Sequence, residues 1–423
     1  MKRNYLIVGL IFFIFFVISF LTNIMGPLIP DIIEDFELTK GMAATLPFAF
    51  FIAYGLMSVP SGSAVERFKE KKVLVFSFLL AFSGAILFGL IPSFPVALIS
   101  LFLIGSGMAF IQVAINPLLR VSGGEEHFAF NSVMAQLVFG SASFLSPKVF
   151  SYLVHELNNY SADSNALITI LHKLVPQNLA WVSLYWIFAI ITLLMVLVVI
   201  FVKFPKVELK EDEKAGQWII YRELLKNRTV QLFFVGIFAY VGTEQGIANW
   251  MSQFLADYHS FNPHNEGANA VAWFWGLLTI GCFLGLGLLK IMDSRKVLII
   301  FSSLAIVSLI AALTGSASVA IVAFPICGFF ASVMWSVIFS LALNSLPKNH
   351  GAFSGILCTG IIGGAIVPLV IGFISDFAGL KVGMSFIFIT LSFILSIGFW
   401  AKPIITNKTI NFSKKNVETL ETK

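Results

Sequence analysis

Charged residues are scarce in this chain of 423 residues: Asp, Glu, Lys and Arg make up 12% of it, against about 25% in a typical soluble protein. Hydrophobic residues make up 58%, phenylalanine alone occurs 45 times, and the mean hydropathy is +0.92. So few polar side chains cannot cover the surface of a soluble globule. The composition therefore excludes a soluble enzyme and indicates a membrane protein.

Residues that carry chemistry are also few. The three cysteines lie inside apolar stretches, without the spacing of a disulfide framework or a zinc site. The six histidines lie in or beside polar connections, which argues against a histidine proton relay in mid-membrane. The sequence has no phosphate-binding glycine loop. We therefore expect no enzymatic activity, no catalytic residue, no metal and no cofactor.

Twelve apolar stretches are long enough to cross a bilayer, which takes about 20 residues. The first is longer than the apolar core of a signal peptide, so we interpret it as a retained helix. We predict an all-α polytopic membrane protein with helices near Tyr5–Leu28, Met42–Gly62, Val73–Ile91, Pro95–Leu119, Phe128–Val154, Trp181–Val202, Val230–Leu255, Ala270–Ile291, Val297–Leu313, Ala317–Leu346, Ala352–Phe377 and Val382–Ala401.

Basic residues orient these helices. With the N-terminus inside, four of the 27 Lys and Arg residues face outward (Lys40, Lys148, Lys173 and Lys381) and the other 23 face inward. Cytoplasmic connections carry the excess of basic residues, so we predict both termini in the cytoplasm and the chain in a bacterial inner membrane. This distribution, rather than nucleic-acid binding, accounts for the net charge of +5.

One long charged connection separates six helices from six. We predict an N-terminal bundle at 1–203, a cytoplasmic linker at 204–228, a C-terminal bundle at 229–402 and a cytoplasmic tail at 403–423. Two six-helix bundles joined in this way are the architecture of the major facilitator superfamily. Within the linker, 216–225 is either a short surface helix or solvated chain. The longest outer connection, 158–177, is polar and predicted to be irregular.

The connection between helices 2 and 3 holds a glycine, an acid four residues later, then several basic residues. This pattern resembles the signature loop of that superfamily, and its charges can pair with a neighbouring helix end to hold an inner gate shut. A simple topology anchor is the alternative. A shorter copy lies between helices 8 and 9. We predict gating roles for Gly62, Glu66, Arg67, Lys71, Asp293 and Arg295.

Four further motifs lie in helices 4, 7, 10 and 11. They read Gln-Val-Ala-Ile-Asn-Pro at 112–117, Tyr-Val-Gly-Thr-Glu at 240–244, Met-Trp-Ser-Val-Ile-Phe-Ser-Leu-Ala at 334–342 and Gly-Gly-Ala-Ile-Val-Pro at 363–368. Together they resemble the fucose/glucose/galactose–proton symporter family of the major facilitator superfamily. The resemblance touches both halves and covers most of the chain.

The resemblance implies a monomeric sugar transporter that couples a monosaccharide to H⁺ (or Na⁺), surrounded by lipid and without nucleic acid. The chain departs from the family at three places. Asn23 stands where helix 1 of the family carries an acid, Gln112 replaces a helix-4 acid, and Cys282 replaces a helix-8 arginine. Two acids that serve proton coupling are thus absent, which leaves sodium coupling and facilitated diffusion open.

Polar residues inside the bilayer are costly and mark functional positions. Several are spaced by four along one helix and so share a face. Amides both donate to and accept from hydroxyls, and aromatic rings stack on a pyranose. We predict substrate contacts from Asn23, Gln112, Asn116, Gln136, Gln245, Asn249, Trp250 and Trp335. Hydrogen bonding between helices is the alternative, and we favour it for Ser19, Ser336 and Ser340.

Glu244 is the only acid that these boundaries place well within a helix, on the order of 20 Å along helix 7. Gly242 and Gly246 flank it and give the backbone freedom to bend. We predict that Glu244 couples proton movement to transport or binds substrate, the alternative being a structural acid tied to a neighbouring helix.

Two other functions compete with sugar uptake. An exporter of drugs or other small metabolites would have a wider apolar cavity, against which the amide-rich stripes argue. A membrane receptor, or an enzyme of lipid-linked substrates, would need a recognition or catalytic constellation that the sequence lacks. Fold alone does not choose the substrate, so the sugar rests on the resemblance.

Overall fold

Membrane-spanning helices dominate the computed structural model, which describes residues 4–124, 128–161, 163–205, 218–347 and 349–404. Twelve helices in these ranges are long and apolar enough to cross a membrane, and no strand occurs in them. The predicted all-α polytopic fold is therefore confirmed.

The spans are numbered here in chain order: span 1 (Tyr5–Thr22 and Met25–Asp35), span 2 (Lys40–Phe68), span 3 (Glu70–Leu90), span 4 (Phe94–Gly123), span 5 (Phe128–Asn158), span 6 (Ser183–Phe201), span 7 (Arg228–His259), span 8 (Ala268–Ile291), span 9 (Ser294–Thr314), span 10 (Ala317–Ala331 and Met334–Leu343), span 11 (His350–Thr359 and Gly363–Ala378) and span 12 (Leu380–Ser385 and Ile387–Trp400). Shorter helices lie at Ala166–Leu174 and Trp218–Lys226, with single helical turns at Ala180–Val182, Pro263–Gly267 and Gly360–Ile362.

Several spans are broken near their middle. Span 1 is interrupted at Asn23 and Ile24. Pro27 explains this break, because proline has no N–H for the carbonyl of Asn23 and its ring clashes with that carbonyl. A single turn at Gly360–Ile362 interrupts span 11. Broken spans leave backbone groups available where a transporter binds its substrate.

Two hydrophobic cores divide the chain at the connection between spans 6 and 7. The first is built almost wholly from residues between Ile7 and Val199, and the second from residues between Leu224 and Ala401. Of the linker, 206–217 lies outside the described residues, and the helix Trp218–Lys226 follows it. Most of the tail, from 405 onward, is also outside them.

The halves meet along a seam that is not uniform from one side of the membrane to the other. We call the side where span 1 begins and span 12 ends the terminal face, and the opposite side the far face. Near the far face, span 1 packs on span 7, span 2 on span 11 and span 5 on span 8. The first helix of span 1, and span 4, make no comparable contact with the second half within the described chain. A cleft therefore separates the halves toward the terminal face.

Two details differ from the sequence-based predictions. The connection 158–177 is not irregular, because Asn165 caps a helix at Ala166–Leu174 that buries Ile168 and Leu171. Span 1 continues past Leu28 to Asp35, so that Asp31 is an acid buried within a span, at 8% exposure. The boundary predicted from hydropathy came too early, because hydropathy takes no account of contacts with residues elsewhere in the fold.

Candidate functional site

Glu244 lies about 24 Å along span 7 from its first residue, past the midpoint of the helix. The hydroxyl of Tyr240, one turn earlier, donates a hydrogen bond to Glu244 Oε1 at 3.1 Å. Gly242 lies against Val367 of span 11, and a side chain there would overlap that valine. Span 7 is therefore packed closely on span 11 at this point, and the Glu244 side chain two residues later is half-buried.

Aromatic side chains lie beside Tyr240, the hydrogen-bond partner of this acid. The ring of Trp335 in span 10 lies 6.0 Å from the Tyr240 ring, and Phe339 stacks on Trp335 at 5.9 Å. Cys282 of span 8 interacts electrostatically with Glu244, and its thiol donates to the carbonyl of Ser332 at 3.2 Å. We call these five residues (Tyr240, Glu244, Cys282, Trp335 and Phe339) the acid–aromatic cluster. It offers hydrogen-bonding oxygens beside flat apolar faces.

Amides of the first half are available for a ligand. Gln112 of span 4 is half-buried, while Asn116, one turn on, and Gln136 of span 5 are exposed. None of the three makes a side-chain hydrogen bond to another residue that the structure describes. An amide turned toward lipid would be costly, so these positions indicate the cleft rather than the bilayer. That these amides and the acid–aromatic cluster face each other across the cleft stays a prediction.

The other four predicted substrate contacts lie in packed surroundings. Asn23 is 5% exposed and donates to Ser143 Oγ at 2.8 Å. Trp250 is fully buried, and its indole N–H donates to the Pro368 carbonyl at 3.1 Å. Gln245 and Asn249 are 5% and 3% exposed. In this conformation these side chains are packed between helices, and their contact with a substrate stays a prediction.

The predicted gating residues make their described contacts within one half. Lys71 donates to the carbonyls of Ile200 and Val202 at 2.7 and 2.9 Å, which ties the start of span 3 to the end of span 6. The Arg67 guanidinium lies 5.3 Å from the centre of the Phe68 ring. Gly62 has open space where a Cβ would lie, and Glu66 is half-buried. A gating role for this connection stays a prediction.

Asp293 caps the start of span 9. It accepts hydrogen bonds from the backbone N–H of Arg295 at 2.9 Å and from Arg295 Nε at 3.2 Å. Partial burial acts to raise the pKa of Asp293, but the hydrogen bonds and charge of Arg295 outweigh it and leave the pKa below its ordinary value. Asp293 and Arg295 therefore work locally, as the cap of span 9. Among the described residues, no group of His, Cys, Asp and Glu side chains could hold a metal ion.

Sequence reasoning missed the polar contacts that join the halves at the far face. His264 bonds Asp31, Lys40 bonds Asp257, and the carboxylate of Asp376 accepts from the backbone of Gly41. The partners are hundreds of positions apart, so no local motif marks them. The one available signal was the polarity of Asp31 directly after an apolar run.

Similarity to known proteins covers nearly the whole chain. The model of the Major Facilitator Superfamily matches residues 11–360. A glucose/galactose transporter of Brucella abortus is 30% identical over 87% of each chain. The L-fucose-proton symporter of Escherichia coli is 26% identical over 89% of each chain.

Solved structures agree in fold. The E. coli fucose:proton symporter FucP, crystallised in the outward conformation, matches with a TM-score of 0.66 at 24% identity, covering 93% of this chain and 98% of that one. An inward-facing bacterial homologue of the human lysosomal transporter Spinster matches with a TM-score of 0.76 at 15% identity, covering 95% and 98%.

Proposed function

This chain belongs to the Major Facilitator Superfamily of membrane transporters, and we propose that it carries a monosaccharide across the membrane by alternating access between its two halves. The observation that carries this proposal is the acid–aromatic cluster of the second half, which we infer to face the amides of the first half across the cleft. The relatives named as a glucose/galactose transporter and an L-fucose-proton symporter support the sugar.

The cleft has the chemistry that a hexose requires. The indole of Trp335 and the ring of Phe339 provide apolar faces for the C–H side of a pyranose. Gln112, Asn116 and Gln136 present both donors and acceptors to its hydroxyls. A sugar bound between them touches both halves, so its binding favours conformations in which the halves close around it.

Glu244 is the proposed coupling acid. Its side chain is half-buried, and its described hydrogen-bond partner is the Tyr240 hydroxyl. When Glu244 is ionised, an uncompensated charge lies in an apolar environment, and the halves do not close over it readily. Protonation removes that cost, so one proton accompanies each sugar. Positions 23 and 112 hold amides instead of the acids of the related family, so Glu244 couples the proton without them. Na⁺ is the alternative coupling ion.

The proposed setting is a bacterial inner membrane, with the terminal face in the cytoplasm. The basic residues support this orientation, since the far face carries only Lys40, Lys148, Lys173 and Lys381 of the 27 Lys and Arg residues. In this setting the structure corresponds to a transporter closed on the outside. We further propose that the chain works as a monomer in lipid, with bundles 1–203 and 229–402 rocking about the site and 204–228 linking them.

Uptake into proteoliposomes tests this function. A panel of labelled hexoses, deoxyhexoses and N-acetylhexosamines is offered with an imposed proton gradient, then a sodium gradient, then none. We expect one or a few sugars to accumulate only with the proton gradient. Failure of every sugar would remove the proposal, and gradient-driven efflux of an apolar compound would favour an exporter of drugs or metabolites instead.

Glu244→Gln tests the coupling acid. We expect the variant to lose accumulation against a gradient but to keep exchange of labelled for unlabelled sugar, because exchange does not need release of the proton. Asp163→Asn, which changes an exposed acid in the connection between spans 5 and 6, is the matched control and should behave like the parent. A Glu244→Gln protein that still accumulates sugar with unchanged pH dependence would exclude this role.

A further inference from the structure

A histidine of the second half lies in a socket of the first half at the far face. His264 is in the single turn Pro263–Gly267 that connects spans 7 and 8, and the side chain of Asn262 caps this turn. His264 Nε2 lies 2.6 Å from Asp31 Oδ1 in span 1, and the imidazole ring lies 5.9 Å from the Phe150 ring in span 5, edge to face. The imidazole is thus held between two helices of the opposite half.

Asp31 depends on this histidine. Its side chain is 10% exposed, and its second oxygen, Oδ2, is buried without a hydrogen-bond partner among the described residues. A buried carboxylate that loses its one charged partner is strongly destabilising, because the charge is left without water or a counter-ion. In the closed far face, His264 is the described side chain that compensates Asp31. If the halves part there, water takes over that function.

The remaining polar contacts of the far-face seam are of a different kind. Lys40 pairs with Asp257 at 3.0 Å, but both side chains are more than a quarter exposed. Lys148 donates to Asn269 Oδ1 at 2.9 Å, also in an exposed position. The carboxylate of the exposed Asp376 accepts from the backbone N–H of Gly41 at 3.0 Å. Exposed ion pairs contribute little, because water competes with them. The Asp31–His264 pair is therefore the polar contact at this seam whose loss costs most.

The electrostatic surroundings of the pair are dominated by acids. From span 1, Glu34 and Asp35 interact with both members, and both are exposed. Two other acids nearby already have partners: Asp257 of span 7 pairs with Lys40, and Glu266 of the turn accepts a hydrogen bond from the backbone of Asn262. Two basic residues of span 5, Lys148 and His155, line the adjoining groove of about 290 Å³. A proton on His264 therefore meets net negative charge.

We propose that the Asp31–His264 pair is the latch of the far-face gate, and that the proton on His264 sets how often this gate opens. The proposal rests on the alternating access of the proposed function and adds a positioning pair that touches no substrate. With His264 protonated, a charge-assisted hydrogen bond holds spans 1 and 8 together. With His264 neutral, the bond is weaker and the far face opens more often.

Cysteine labelling measures this opening without any transported substrate. Val271 of span 8 is fully buried and faces Gly26 of span 1 across the seam, so Val271→Cys places a thiol that is reached only when the far face opens. A membrane-impermeant maleimide is applied to intact cells, and its reaction is normalised at each pH to an exposed cysteine, Ser161→Cys. Labelling of the unmodified chain gives the background from its three native cysteines.

We expect normalised labelling of Val271→Cys to rise about fivefold between pH 6 and pH 8, the difference between a charged and a neutral hydrogen bond. Adding His264→Gln should raise labelling at pH 6 by at least as much and abolish the pH dependence, and Asp31→Asn should do the same. Adding Lys40→Gln, which breaks a pair without an imidazole, should change labelling by less than about twofold and keep the pH dependence.

Labelling that stays low in both latch variants, or a pH dependence that survives His264→Gln, would overturn the latch. Only protein that elutes as a single species in detergent is scored, and the double variant Asp31→Asn with His264→Gln guards against misfolding. It leaves no buried carboxylate without a partner, so it should be labelled less than His264→Gln alone. If labelling behaves as expected while no sugar is taken up, the latch stands and the proposed substrate falls.

Discussion

Gly26→Ala should prevent the far face from closing. Gly26 lies where span 1 crosses span 7, and a Cβ at this position would overlap the carbonyl oxygen of Ala248 and lie 3.2 Å from its carbonyl carbon and 3.3 Å from Val271 Cγ2. The obstacle is backbone, which cannot rotate away as a side chain can. Adding a methyl group to such a contact costs about 1–3 kcal/mol.

This cost falls on one conformation only. Alanine gains about 1 kcal/mol over glycine in a helix, but that gain is present whether the far face is open or closed, so it cancels from the equilibrium between the two states. The overlap with Ala248 exists only when the halves meet. A penalty of about 1–3 kcal/mol therefore shifts the population toward the far-face-open state by about 5- to 150-fold.

Initial rates of sugar uptake into proteoliposomes check this, together with the melting temperature of the purified protein. We expect Gly26→Ala to slow uptake at least fivefold while the melting temperature changes little, because each half keeps its own core. Gly55→Ala is the matched control, since it lies on the same seam but its nearest neighbour atom would be 3.6 Å away, on Ile362. An uptake rate of Gly26→Ala equal to that of the parent, or the same loss of uptake rate in Gly26→Ala and Gly55→Ala, would refute the reasoning.

Two further predictions concern residues expected from the sequence to form a gate. Lys71→Met should lower stability by about 1 kcal/mol through loss of its bonds to Ile200 and Val202, with an unchanged KM for uptake; a changed KM at unchanged melting temperature would instead support gating. Asp293→Ala should cost about 1 kcal/mol by removing the cap of span 9. Because Arg295 lowers the pKa of Asp293, this contribution is present above the ordinary aspartate pKa and is lost as pH falls through the lower folded value. The melting temperatures of parent and variant should therefore converge in acid. A difference in melting temperature that does not change with pH would contradict a contribution from the ionised carboxylate.

Hydropathy predicted the twelve spans because the bilayer dictates both their length and their composition. It failed where a helix runs beyond its apolar stretch. Span 1 continues through Pro30 to Asp35, and His264, 233 positions after Asp31, is the distant partner of this acid. A partner so distant in sequence leaves no periodic signal, and the same is true of Lys40 and Asp257.

The candidate site was predictable in part. Glu244 was chosen because an acid within an apolar helix is rare, and Trp335 because its ring can stack on a pyranose; the structure places Trp335 beside Tyr240, the hydrogen-bond partner of Glu244. Asn23 and Trp250 were chosen for the same polar or aromatic character, yet the structure packs them between helices. A polar stripe on a helix marks the face turned from lipid, but it does not tell a cleft from a packed seam, since both exclude lipid.

Glu244 and the far-face latch lie on the same path through the protein. The contact between Gly26 and Ala248 is one helical turn beyond Glu244 along span 7, and Asp31 lies further toward the far face on the helix that makes this contact. We propose that, while the contact holds, water reaches Glu244 only from the cleft. Parting of spans 1 and 7 exposes the same carboxylate to the other side and separates Asp31 from His264. The seam that the latch closes is therefore the barrier across which the proposed coupling acid must alternate, so a latch variant should leak protons as well as open the gate.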